Sequence, residues 1–395
     1  LLEPQLGTDS SYDSDSKGVT GESLKFSYQA GLILRITDIN DPNGWTLSTY
    51  QRSNLSEPVS EANPPTLDSN GKPIEIPIAL TGTTFEALNI ITHKPYAQSG
   101  NTVTSGIYDR RQGAGQDIVE IDIGKLRQVL DDNHASYTGP TAFNDNYDPS
   151  KQFNGLLYVE IPLVTPVGST SHTNRPDNIR VAQDNIAVEV INGQDIPDPD
   201  YNKSSGRNPG FTLATNGALY VKGHYNSDGD LSTGSSTNPD SKGNGQEETP
   251  AALIADAITV LSNSFDETKS KNAKMPASST EISAAFLSGL VPTIPGGTTI
   301  SGGAHNFPRF MENWSSRTFL YRGSLVSLFE SEVHEIPMPS NPSFYYNPPT
   351  RDWGFHDYFK AGKFPPGTPY TRDFARIDFK DLSKAEYDAA LAALP

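Results

Sequence analysis

Three oxygen-bearing side chains at alternate positions, Asn226, Asp228 and Asp230, bracket Gly229 in a polar loop. Hard carboxylate and amide oxygens at that spacing suit calcium, with the glycine permitting the turn. The bidentate Glu of an EF-hand is absent at the required distance, because Glu247 and Glu248 lie too far downstream. A solvated acidic loop is the competing reading. Asp38, Asn40 and Asp41 make a weaker set of the same kind, and Asp145 with Asp148 a third. Calcium is the one cofactor these patterns suggest.

A second chemistry is carried by Tyr345, Tyr346 and Trp353, with Phe344, Phe355, Tyr358 and Phe359 around them. Flat aromatic faces stack on sugar rings, and Asp352 and Asp357 are near enough in sequence to serve as carboxylates of a carbohydrate site. Aromatics interleaved with prolines also pack as an irregular cap over a β-core, and that reading is preferred. The seven His residues show no HExxH spacing, and no GxSxG elbow accompanies His305 or His356. With no Cys, thiol catalysis, disulfides and cysteine-ligated metals are excluded. No catalytic constellation stands out, and the chain reads as a non-enzyme.

The elements that must position these residues are short strands. The 33 Gly and 31 Pro in 395 residues punctuate the chain too often for long helices. Alternating apolar residues predict strands within 24–36, 73–80, 118–123, 156–164 and 186–191, with a helical turn over 124–130. Residues 210–226 read as strands around an Asn216-Gly217 turn. Thr249 and Pro250 then predict a capped amphipathic helix over 249–263, its stripe being Leu253, Ile254, Ala257, Ile258 and Leu261. A capping box at Ser278 and Glu281 predicts a second helix, stopped by Gly289 and Pro292. Residues 308–314 suggest a third, and 383–394 a tail helix. Residues 318–330 are ambiguous, with two strands around Gly323 preferred to a helix. The expected fold is mainly β, a parallel β-helix or β-sandwich-like body with several short helices in the C-terminal half. The expected division is a polar leader over 1–22, a β-rich region over 23–205 and a β-rich module with helices over 206–395.

Net charge of −17 repels phosphate backbones, so nucleic acid is not an expected partner. No apolar run reaches the length of a membrane span. The chain begins at Leu1 without Met, and a targeting segment removed upstream is expected.

Several segments resemble a module of large bacterial surface proteins with prepilin-type or PilX-like amino termini. They are GFTLATNGALYVKGHYN (210–226), PAALIADAITVLSN (250–263), FLSGLVPT (286–293), GGAHNFPRFMENW (302–314), YRGSLVSLFES (321–331), YYNPPTRDWGFHDYF (345–359) and PPGTPY (365–370). FNGLLYVEIP (153–162) and AVEVINGQDIP (187–197) are similar to strands preceding that module. The resemblance implies an exported, extracellular or cell-surface structural protein, associated with filaments or pili and acting in assembly or adhesion. Its implied partners are further copies of itself or other surface subunits. The alternative is a polysaccharide-binding or polysaccharide-cleaving β-helix protein.

Overall fold

The computed structural model describes residues 2, 21–40, 45–80, 82–130, 143, 147–164, 181–198, 210–227, 241–242, 246–272, 274–291, 299–300, 307–327, 329–336, 338–339, 343, 345–368, 383–385 and 388. Through one sheet the parallel strands follow chain order: Leu32–Ile36, Leu156–Glu160, Phe211–Thr215, Ala251–Ala255, Thr280–Ser288, Thr318–Val326 and Thr350–Phe355. A second sheet does the same with Ala114–Asp122, Ile186–Ile191, Ala218–Lys222, Ala257–Leu261 and Arg309–Phe310. A chain that returns to each sheet one strand further along, always in the same direction, is a parallel β-helix. At its start the antiparallel strands Trp45–Tyr50 and Glu75–Pro77 extend the first sheet, and Ile91–Lys94 extends the second.

Alternation of side chains along each strand explains the core. Leu34, Val159, Leu213, Leu253 and Phe286 point into the coil and meet Val119, Val188, Leu219 and Ile258 from the other sheet. The opposite face is also buried. Ile33, Tyr158, Ala214 and Ile254 stand in one register across the first sheet, beneath Phe26, Tyr50 and Val59. Ile118, Ala187, Ala218 and Ala257 line the second sheet beneath Phe265, Met275 and Met311.

The corners are tight and individually fastened. Asn216 donates from its amide to the Ile161 carbonyl (3.0 Å) and accepts from the Ile161 N–H (2.8 Å), clasping the preceding coil. Asp256 alone separates two strands of successive sheets. Gly223 turns at φ +84°, where a Cβ would collide with the Asn263 side chain.

Several expectations are corrected. Residues 249–263 form the strands Ala251–Ala255 and Ala257–Leu261, not a helix. The second predicted helix is the strand Thr280–Ser288. Residues 308–314 hold the short strand Arg309–Phe310 and no helix, and Thr318–Val326 is one strand running through Gly323. In Ala251–Ala255, Ala257–Leu261 and most of Thr280–Ser288 the apolar run is continuous because both faces of the strand are buried, which tertiary contact and not helical periodicity produces. Phe26–Gln29 is a helical turn where a strand was expected, and Ile123–Leu130 is a two-turn helix. Among the described residues, the second half holds the 3-10 turn Glu267–Lys269 and the helix Asp357–Lys360, and Lys384, Ala385 and Asp388 of the predicted tail helix are helical. Most of the predicted tail helix and of the leader lies outside the described residues. Strands from the two sides of position 206 pair with one another, Phe211–Thr215 with Leu156–Glu160 and Ala218–Lys222 with Ile186–Ile191.

Candidate functional site

A charged side chain within a buried strand is costly unless something compensates it. On the outer face of the second sheet Glu120, Glu189, Tyr220, Thr259 and Arg309 occupy a single register, one from each coil. Loops cover this row. Asp109 comes over it from the strand Ile107–Asp109, and the segment 331–336 comes over it from a later coil. The Tyr220 hydroxyl donates to Asp109 Oδ2 at 2.7 Å, and the N–H groups of Arg111 and Gln112 donate to Oδ1 at 2.8 and 3.1 Å. His334 Nδ1 stands 3.9 Å from the same carboxylate, with its ring edge-on to Tyr220. Arg309 donates to the His334 carbonyl at 2.6 Å.

Beneath this layer, Asp256 holds the covering segment by its backbone. Its carboxylate accepts from the N–H groups of Glu332, Val333 and His334, and Ser331 Oγ donates to the Asp256 carbonyl at 2.9 Å. Burial raises the Asp256 pKa, against the pull of those donors and of Arg309. Burial likewise lowers His334 to about 4, so the imidazole is neutral at physiological pH despite the nearby Asp109. Arg111 is brought down to about 9, first by burial and then by the like charge of Arg309.

Glu189 is the extreme case. It is fully buried, and neither carboxyl oxygen has a hydrogen-bond partner among the described residues. Two ion pairs flank it, Lys94 with Glu120 and Lys222 with Glu267. Burial first, then the Glu267 charge, push Glu189 up to about 8, so it is a neutral acid at pH 7.

Across the first sheet a Ser–Glu–His chain has a different geometry from a hydrolytic triad. Ser283 Oγ donates to Glu248 Oε1 (2.7 Å), and His356 Nε2 faces Glu248 Oε2 (3.1 Å). His356 Nδ1 accepts from the Tyr358 N–H at 3.0 Å, capping the helix Asp357–Lys360. The serine therefore meets the carboxylate and not a basic nitrogen, while both imidazole nitrogens are occupied. The chain fastens; it does not activate a nucleophile.

Comparison with family models, with curated proteins and with solved structures finds no match to this chain. What the molecule does is therefore argued from its own geometry.

The residues expected to bind calcium are dispersed in role. Asn226 is fully buried at φ +50°. Its amide donates to the carbonyls of Thr249 and Ser283, both at 2.7 Å, and accepts from the Thr249 N–H at 3.2 Å. It is committed to the backbone. Asp228 and Asp230 lie outside the described residues, as do Asp41 and Asp145. Asp38 caps its own turn by accepting from the Asn40 N–H at 2.9 Å, and Asp148 pairs with Lys151. Of the aromatic set, Tyr346 packs on Phe310 with centroids 5.7 Å apart, and Trp353 lies edge-on to Phe319 and Tyr321 under the Arg351 guanidinium. Tyr345 is half-buried against the core. Asp352 pairs with Arg322 at 3.0 Å and Asp357 with Lys360 at 2.7 Å. These rings spend their faces on packing and these carboxylates on neighbouring cations.

Sequence reasoning missed Asp109, Glu189, Tyr220, Asp256, Arg309 and His334. The available signal was a single charge inside an apolar run, Glu189 in IAVEVI and Asp256 in AALIADAITVL.

Proposed function

We propose that the chain is an exported structural subunit of a bacterial surface or extracellular filament, working in assembly or adhesion. The single observation that supports this most is the ladder itself. Parallel strands stack coil upon coil in chain order, and the corners are fastened by buried side chains such as Asn216, Asn226 and Asp256. Such a body is a stiff scaffold in which each coil leans on its neighbours. Among the described residues the last strand, Thr350–Phe355, has a strand partner on one side only. Edges of this kind accept a further strand, so a neighbouring copy could extend the ladder there.

The sugar-binding alternative has weaker support, because the rings it needs are packed against Phe310, Phe319 and Tyr321. Negative-stain microscopy of material sheared from the native cell surface tests the proposal. Regular fibres that bind an antibody raised against this chain are the expected result. Isolated particles confined to the cell interior would sink it.

A further inference from the structure

The covered face of the second sheet holds buried polar nitrogens that find no partner among the described residues. Arg111 Nε and Nη2, Arg309 Nη1 and both ring nitrogens of His334 are buried without a hydrogen-bond partner among the described residues. All three side chains are nearly inaccessible, at 3%, 3% and 1% relative exposure. The two carboxylates of the neighbourhood are already committed, Asp109 to Tyr220, Arg111 N–H and Gln112 N–H, and Asp256 to the amides of the 332–334 segment. Neither reaches the orphaned guanidinium nitrogens.

The three residues are tied into one small volume. Arg309 holds the His334 carbonyl, His334 borders Asp109, and Asp109 accepts from the Arg111 backbone. The guanidinium groups feel each other, since the Arg309 charge is the largest influence on Arg111 after burial. Two buried cations with unused N–H groups lack an acceptor, and leaving such groups unpaired is costly. Planar guanidinium forks match the oxygens of a carboxylate, phosphate or sulfate two at a time, and a neutral imidazole adds one further N–H. The two guanidinium charges would repel a metal cation here.

We propose that Arg111, Arg309 and His334 form an occluded site for a small oxyanion, held between the 109–112 loop, the strand Arg309–Phe310 and the 331–336 segment. The anion would tie together three stretches of chain far apart in sequence, so its binding stabilises the folded state by mass action.

The test is thermal unfolding of the full chain in HEPES at constant ionic strength, titrated separately with inorganic phosphate, sodium sulfate and sodium acetate. The expected result is a saturable rise in Tm with at least one of them. A response to acetate alone identifies the carboxylate as the group recognised, whereas phosphate or sulfate identifies a tetrahedral anion. Arg111→Lys should weaken the apparent affinity at least tenfold, and Arg111→Gln should abolish the rise while circular dichroism stays native. A Tm indifferent to all three anions, or a rise retained in Arg111→Gln, overturns the proposal. If Arg111→Gln does not fold, wild-type crystals grown in sulfate decide it. Tetrahedral density between the guanidinium groups supports the site, and ordered waters in its place refute it.

Discussion

Asp256 carries more of the architecture than any residue near it. It forms the whole corner between two strands and receives three backbone donors from the 332–334 segment. Removing the carboxylate leaves those N–H groups buried without an acceptor, each costing about 1–3 kcal/mol. Asp256→Ala is therefore expected to destabilise the protein by at least about 3 kcal/mol in urea unfolding. Asp256→Asn, which keeps one acceptor oxygen, should lose clearly less. Equal losses would show that the corner and not its hydrogen bonds matters. Glu312 has a comparable role at another corner, accepting from the Ser262 N–H at 2.7 Å and its hydroxyl at 2.6 Å. Asn226 does similar work in left-handed backbone, which asparagine tolerates better than most residues. Its oxygen and nitrogen looked like a ligand at sequence level for the same reason they serve as a clasp.

At the scale of elements, the informative error is the segment 249–263. Its apolar residues fit a helix as well as they fit paired strands, because a strand buried on both faces shows no alternation. Ala255 points into the coil and Thr259 sits in the outer row between Tyr220 and Arg309, both buried. On a helix with the predicted stripe these two positions would face solvent and accept lysine. In the β-helix each lysine would bury an unpaired charge. Ala255→Lys and Thr259→Lys should thus abolish soluble expression or cost more than about 3 kcal/mol in denaturant unfolding. A fully stable lysine variant at either position would contradict the strand assignment. Alternation was legible in several strands: residues 186–191 and 118–122 of 118–123 are strand, and of 156–164 the residues 156–160 and 163–164 are. Register was not legible. It depends on which coil stacks on which, and only stacking brings Glu120, Glu189, Tyr220 and Arg309 into one row.

For the molecule as a whole, burial of carboxyl groups makes stability depend on pH in a direction that can be worked out. Glu189 is raised to about 8 and Glu312 to about 7, both from an ordinary value near 4.5, with burial as the leading cause. In the folded state each keeps its proton over a range where the unfolded chain has released it. The stabilisation from these groups is complete below pH 4.5 and is lost as pH rises through 7 and 8. His334 works oppositely. Its folded pKa of about 4, below the ordinary 6.5, costs stability as pH falls from 6.5 towards 4. Well above pH 6.5 the imidazole is neutral in both states and adds nothing to the slope, whereas Glu160, also raised to about 7 chiefly by burial, adds to that of Glu189 and Glu312. Each proton retained on folding is worth roughly 1.4 kcal/mol per pH unit. Tm should therefore decline between pH 6.5 and 8.5, with Glu189 dominating the upper part of the window. Glu189→Gln, which cannot ionise, is expected to flatten the profile above pH 7 and to be more stable than wild type at pH 8.5. Parallel curves for the two proteins across that range would mean that Glu189 is ionised in the folded coil, with water or an ion reaching it under the covering loops.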